Sequence, residues 1–206
     1  MTDGRERFDN WAKNYDRSIL NPYFNCAHSA IIRALNPKNG MRILDIGCGT
    51  GKLLEKIAGI IDSGELVGTD FSEEMIEVAR KTRKKEIKFL VSDAMSLDFE
   101  NESFDAVLNA VSFHHYPEQG RALNEMYRVL KNRGRLYLAD HSFDFFPGLA
   151  YAMSFAMSFF EGPIKISGKR KMRSMLDRAG FFPLYEKSFG LIGTLYVAEK
   201  KGAENG

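Results

Sequence analysis

The sequence predicts an α/β fold: a seven-stranded, mostly parallel sheet with helices on both faces and an antiparallel last strand. Three observations carry this reading. Short apolar runs alternate with helical patterns up to residue 141, as in a parallel sheet covered on both sides. Residues 104–113 (FDAVLNAVSF) are nearly continuous in apolar side chains, as expected of a strand buried on both faces. Near the C-terminus, runs at 183–189 and 194–200 are separated only by 190–193. A parallel crossover needs about a dozen residues, so these two runs must form a hairpin, and the last strand runs against the rest.

Taken in order, Phe8, Trp11, Ala12 and Tyr15 recur at the spacing of one helical face. Asn21 and Pro22 start a second helix carrying Tyr23, Phe24, Ala27, Ile31, Ala34 and Leu35, and Pro37 with Gly40 stops it. Residues 1–36 thus form a helical arm ahead of the first strand. Residues 43–51 (ILDIGCGTG) are an apolar strand running into a glycine-rich turn. Leu53, Leu54, Ile57, Ala58, Ile60 and Ile61 then line one face of a helix. The second strand, 65–70, ends at Asp70. Ser72 is placed to cap the next helix, and Glu73 and Glu74 suit its positive end.

That helix ends in RKTRKKEIK, with six basic residues and one acidic residue between Arg80 and Lys88. Cations are favoured at a helix C-terminus, and no aromatic side chain is interleaved to stack bases, so the run reads as a solvated face. A third strand covers 87–93 (IKFLVSD) and a helix covers 118–131. After a turn at 132–134 the fifth strand occupies 135–141. A last helix at 169–179 is stopped by Gly180.

One stretch falls outside this alternation. Residues 143–172 contain a helix start at Pro147 and apolar side chains nearly all round from 149 to 160. Lys165, Lys169, Arg170, Lys171 and Arg173 follow. A helix without a polar face is buried, covered by a partner or in contact with lipid. Two readings are open: a cap packed on the N-terminal arm or at a homodimer contact, or an apolar substrate pocket whose rim touches an anionic membrane surface. The stretch follows the fifth strand, at the sheet edge where ligands of open α/β sheets bind.

A chain of 206 residues suits a single domain with a sizeable core. Its 29 Lys and Arg against 27 Asp and Glu give a net charge of +2, which makes no general electrostatic case for nucleic acid. Cys26 and Cys48 do not form a disulfide framework, and the N-terminus has no apolar core of a secretory signal. No run reaches the ~18–20 apolar residues needed to span a bilayer. A reduced, cytoplasmic protein is the expectation.

Gly47, Gly49 and Gly51 let the backbone turn sharply and approach a ligand. The spacing is GxGxG, not the GxGxxG of a dinucleotide site, and Asp45 just before it would repel a phosphate. Asp70, nineteen residues after Gly51, is placed to accept from a ribose diol.

The segments ILDIGCGTG, VGTDFSEEMIEVA, FLVSDAMSLDF and FDAVLNAVSFHH, in this order, resemble the motifs of the class I S-adenosylmethionine-dependent methyltransferase family. The resemblance covers roughly residues 40–142 and implies a Rossmann-like methyltransferase fold. It also implies S-adenosyl-L-methionine as cofactor and S-adenosyl-L-homocysteine as product. By this resemblance Asp70 holds the ribose, with Phe71 and Met75 beside the adenine. Asp93 and Ala94 hold the adenine edge, and the glycine turn with Asp45 and Asn109 surrounds the methionine end. The opening FDNWAKNYD resembles the FDxxAxxYD of the ubiquinone and menaquinone C-methyltransferase branch, which singles out Tyr15 and implies an aromatic or lipidic acceptor. Similar arms occur in relatives acting on small polar metabolites. A module that binds the cofactor without turnover is the non-enzymatic alternative.

Methyl transfer from a sulfonium is an in-line displacement, so positioning comes first and a base is needed only if the acceptor must lose a proton. His115, His141 and Tyr15, together with His114, are the candidate bases; the histidines follow strands four and five, whose ends face one cleft. A metal site of His114, His115, His141 and Asp140 is not expected, because neighbours on an extended chain point in opposite directions. A small-molecule acceptor is the expected partner.

Overall fold

The computed structural model describes residues 21–82, 87–142, 165–190 and 192–202. The expected first helix with Tyr15, the centre of the basic run and most of the 143–172 stretch lie outside them. The described elements are α1 (Asn21–Leu35), β1 (Arg42–Ile46), α2 (Lys52–Ala58), β2 (Glu65–Asp70), α3 (Glu73–Thr82) and β3 (Lys88–Val91). They continue with β4 (Phe104–Ala110), α4 (Gln119–Val129), β5 (Leu130–His141), α5 (Lys169–Arg178), β6 (Phe181–Phe189) and β7 (Gly193–Lys200).

The seven strands form one sheet in the order β3-β2-β1-β4-β5-β7-β6. Strands β1 to β5 are parallel, and β7 pairs antiparallel with both β5 and β6. The expected hairpin is therefore present, and β7 is the strand that runs against the rest.

Alternation along each strand divides the core into two layers. Ile43, Leu108, Tyr137, Ala139, Leu195 and Val197 pack with Ile31 of α1, Leu53 of α2 and Ile76 of α3. Their neighbours Leu44, Val107, Leu136, Leu138 and Tyr196 pack on the other face with Leu123 and Met126 of α4 and Leu176 of α5. Nearly every residue of the central strands is buried, which is why these strands read as unbroken apolar runs. Each fully buried aliphatic side chain contributes about 1.5–3 kcal/mol.

Some boundaries differ from the sequence reading, each for a local reason. Helix α2 ends at Ala58 because Gly59 terminates it, its N–H bonding back to the Glu55 carbonyl; Ile60 is left exposed. Strand β4 stops at Ala110 because Val111 adopts a left-handed conformation at φ 56°, rare for a β-branched residue. Strand β3 is shorter than 87–93, and the chain leaves it in a turn at Asp93. The turn expected at 132–134 is an excursion inside β5. Phe104 pairs with Leu130 and Ala106 with Arg135, while Arg133 takes φ 62°. Part of the basic run is structural, since Arg80 donates from two guanidinium nitrogens to the Phe89 carbonyl.

Gly51 is constrained twice: its φ is 78°, and a Cβ there would lie 2.6 Å from the Phe89 ring. Gly51→Ala should lower the free energy of unfolding by about 1–3 kcal/mol. Urea denaturation of the two proteins measures it.

Candidate functional site

The strand order reverses direction between β1 and β4, and the crevice beyond their C-terminal ends is where ligands of open sheets bind. The chain leaves β1 through the glycine turn, with φ of 71° at Gly47 and 52° at Gly49. The Gly47 and Cys48 N–H groups donate to the Thr69 carbonyl, 2.8 and 2.9 Å away. Asp70, at the end of β2, accepts from Gly49 N–H at 2.8 Å and from Ser72 N–H at 3.0 Å. Its carboxylate therefore fixes the tip of the turn and the start of α3 together. Ser72 caps α3 as expected, accepting from Met75 N–H at 3.2 Å.

The opposite wall is a polar knot that the sequence did not reveal. Asn109, fully buried at the end of β4, places Nδ2 at 2.8 Å from the Ile46 carbonyl, Ser112 Oγ and the Tyr116 hydroxyl. Ser112 and Tyr116 pack directly over Gly47, where an added Cβ would sit 2.7 Å from Ser112 Cβ. Glycine at 47 is thus required by the protein's own side chains. Burial pushes the Tyr116 phenol well above its ordinary range, so it stays protonated. Val111, just before Ser112, is left-handed, and no sequence signal marks it.

A small cavity opens beside the turn, lined by Phe24, His28, Asp45, Gly47, Cys48, Gly49, Thr50, Lys52 and Ala110. Asp45 is 1% exposed, and its Oδ1 has no hydrogen-bond partner among the described residues. Burial first, and the nearby Asp70 second, raise its carboxyl well above the usual range. A cation entering the cavity would reverse that shift. Phe71 is 49% exposed just beyond Asp70, whereas Met75 is buried. Asp93 closes an Asx turn by accepting from Met95 N–H at 2.8 Å, and Ala94 joins the α4 side of the core. Gly51 faces Phe89 and does not line the cavity.

The histidines gather at the ends of β4 and β5. His114 and His115 lie on one turn of 3-10 helix, Phe113–His115, so their rings come together at 4.0 Å instead of pointing apart as the extended-chain argument expected. Asp140 accepts from His114 Nδ1 at 2.6 Å, His114 N–H at 2.8 Å and His141 N–H at 2.7 Å. Burial alone would raise the Asp140 carboxyl, but the His114 and His141 contacts outweigh it and hold the group below its ordinary value. His141 stacks on Tyr23 of α1, with ring centroids 5.0 Å apart, and its Nδ1 hydrogen-bonds the tyrosine hydroxyl at 2.9 Å. Tyr15 lies outside the described residues.

The methyltransferase domain family matches residues 44–138, which span the turn, the polar knot and most of β5. A demethylmenaquinone methyltransferase of Staphylococcus aureus is 31% identical over 94% of this chain and 91% of its own length. This chain belongs to the class I S-adenosylmethionine-dependent methyltransferases. The methyltransferase shares its fold with a chain of the complex between the Haloferax volcanii Trm112 methyltransferase activator and a methyltransferase. That match has a TM-score of 0.84 and 19% identity, and covers 98% of this chain and 100% of that one. An S-adenosylmethionine-dependent methyltransferase of Aquifex aeolicus has a TM-score of 0.73 and 21% identity, over 93% and 97% of the two chains. S-adenosylmethionine is the cofactor, and no described helix of the methyltransferase is long and apolar enough to cross a membrane.

The methyltransferase brings ligand atoms of His114, Asp140 and His141 within 4.8 Å of one another. Those of Asp140 already accept three N–H groups, and Nδ1 of His141 is engaged by Tyr23. Hydrogen bonds thus tie Asp140 to both histidines and His141 to α1. Because Asp140 titrates below its ordinary value of 3.8, its stabilising effect is complete above that pH and fades as pH falls beneath it. Asp140→Asn should cost about 2–4 kcal/mol of stability at neutral pH. The deficit relative to wild type should narrow on acidification towards about pH 3, as chemical denaturation across that range would record.

Proposed function

We propose that the methyltransferase transfers the methyl group of S-adenosyl-L-methionine to an aromatic, quinone-like acceptor. The observation that carries this reading is the anchoring of the apolar segment at both flanks beside the histidines. Ser142 leaves β5 directly after His141 and donates to the Ile192 carbonyl at 2.7 Å. Lys165, on the far side, donates from its N–H to the His114 carbonyl at 2.7 Å and from Nζ to the Pro117 carbonyl at 2.6 Å. The very apolar 143–164 sequence therefore starts and ends at the candidate site, which suits an acceptor poor in polar groups. The Staphylococcus aureus relative, named for action on demethylmenaquinone, supports the same class.

In this reading the methionine end of the cofactor would occupy the cavity lined by Asp45, Gly47 and Gly49, while Asn109, which does not line it, acts through Ser112 and Tyr116 on the turn. Asp70 meets the ribose, Phe71 and Met75 flank the adenine, and Asp93 with Ala94 holds its edge. Gly51 supports the turn from behind. His115 and His141, with Tyr15 of the arm, take the phenolic proton of a reduced quinone-like ring. When bound, S-adenosyl-L-methionine would supply an electrophilic methyl group to the acceptor carbon and keep the C–S electron pair as S-adenosyl-L-homocysteine; a histidine would then take the hydrogen of the methylated ring carbon as a proton while the phenolic oxygen regains one. The enzyme is cytoplasmic and reaches its acceptor through peripheral contact of 143–173 with the membrane surface; a homodimer is the alternative cover for that segment.

Incubation with methyl-labelled cofactor and a detergent-dispersed demethylated quinol tests this. Label should partition into organic solvent, and His115→Ala and His141→Ala should each lower kcat about 10²-fold with little change in cofactor KM. Label confined to aqueous products of a cell extract would redirect the acceptor to polar metabolites.

A second observation concerns partners. Strand β3 is an edge of the sheet, and its Leu90 and Val91 are 42% and 44% exposed. The other edge, β6, also exposes apolar side chains, but Pro183 and a register shift there blunt strand addition. Strand β3 carries no proline. We infer that a Trm112-like activator adds to β3, in line with the complex formed by the Haloferax volcanii neighbour. Co-expression with such an activator should yield a complex that Leu90→Glu with Val91→Glu abolishes while cofactor affinity stays unchanged; co-purification reports it.

A further inference from the structure

Helix α5 carries positive charge that the fold leaves uncompensated. Its sequence, KRKMRSMLDR, holds five basic residues and one acid. Met172 and Leu176 face inwards and are buried with the α4 side of the core. Arg173 is balanced by Glu186 of β6, with which it makes two bonds of 2.5 and 3.0 Å. Arg170, Lys171 and Arg178 are exposed, and among the described residues no acid pairs with them. Arg170, Ser174 and Arg178 succeed one another at i, i+4 and i+8 on one helical face, and Lys171 stands beside them. With Gly168 and the half-buried Met175 they line an open groove, from which the acid of the helix, Asp177, is absent. A concave surface of one sign attracts a partner of the other.

The groove is tied to the candidate site. Lys165 N–H donates to the His114 carbonyl at 2.7 Å. The buried Gln119 side chain donates from Nε2 to the carbonyls of Phe113 and Lys165, 3.2 and 2.9 Å away, and its Oε1 accepts from Ser167 Oγ at 3.4 Å. The residues leading into α5 are thus bonded to the turn that carries His114 and His115. On the other side of Lys165, the sequence from 145 to 160 has no charged residue. An apolar stretch followed closely by a polybasic face is the pair of signals that holds a protein at an anionic lipid surface, since apolar burial and Coulomb attraction are each weak alone. The groove has no aromatic side chain on which a base could stack, which disfavours nucleic acid. We propose that Arg170, Lys171, Ser174 and Arg178 form a docking surface for the headgroups of anionic phospholipids, and that it keeps the histidine turn close to the membrane. The proposal rests on the reading of the acceptor as quinone-like and adds the surface that brings the enzyme to it.

Co-sedimentation of the full chain with vesicles of mixed phosphatidylglycerol and phosphatidylcholine, against vesicles of phosphatidylcholine alone, tests it. The mixed vesicles should bind the protein, and added salt should weaken the binding. Arg170→Gln, Lys171→Gln and Arg178→Gln should each lower the partition coefficient about fivefold, and the triple variant about a hundredfold. Removing three cations exposed elsewhere, by Arg33→Gln, Lys38→Gln and Lys187→Gln together, should lower it by no more than about twofold. All six positions are exposed, so both triple variants should keep the fold, which far-ultraviolet circular dichroism verifies. Equal loss in the two triple variants, equal binding to neutral and anionic vesicles, or retention by transfer RNA without retention by vesicles overturns the proposal. Turnover of detergent-dispersed quinol by the wild-type enzyme reports on the acceptor separately: vesicle binding without turnover sinks the quinone-like reading and leaves the docking surface, and turnover without vesicle binding does the reverse.

Discussion

The hydrogen bond from Asn109 Nδ2 to the Ile46 carbonyl, 2.8 Å long and fully buried, joins the C-terminal ends of β1 and β4. Everything at the site is referred to this junction. It lies where the sheet reverses its winding, so the chain diverges there and a crevice opens. The amide also gathers Ser112 and Tyr116, whose side chains close over Gly47 and set the height of the glycine turn. On the other side Asp70 pulls the same turn through the Gly49 N–H. A turn held from both sides keeps its shape before any ligand arrives, and preorganisation of this kind is what a reaction governed by alignment requires.

Two buried carboxylates near the crevice illustrate how environment assigns different tasks to one functional group. Asp140 is given three N–H donors and two imidazole neighbours, and its ionised form is held. Asp45 is given burial and a like charge, and its ionised form is disfavoured. The first is a finished structural contact that orients His114. The second is an unfinished one, with an oxygen in search of a donor. Burial is similar for both, so the hydrogen-bond inventory decides.

The fold was legible because its signals are periodic. Alternation of buried strands and amphipathic helices, and a linker too short for a crossover, are properties of spacing, and spacing survives in one dimension. Boundaries were less legible where a single residue departs from its intrinsic preference. Val111 at positive φ ends β4 three residues before its apolar run does, and the Arg133 excursion lets β5 begin before the turn that precedes it. At the site, Asp45, Gly47 and Gly49 could be seen to cluster because they are adjacent in sequence. The contacts of Tyr23 with His141 and of His28 with Lys56 span 118 and 28 residues. They depend on how α1 crosses the sheet, which no local pattern encodes. His114 and His115 were misjudged for a related reason, as one turn of 3-10 helix replaced the extended geometry that the apolar run suggested.

The flanks of the 143–164 segment are held by backbone hydrogen bonds to Ile192 and His114, elements that belong to the sheet and its loops. A chain whose ends are already fixed in place closes at nearly constant entropic cost, rising by only about 0.6 kcal/mol for each doubling of length. Between those two fixed points a longer or shorter connection would change that cost little. The two anchors thus lie apart from the contacts that shape the methyl-donor side of the site: Asp70, Asn109, Ser112 and Tyr116 hold the glycine turn, while Ser142 and Lys165 tie the chain to Ile192, His114 and Pro117.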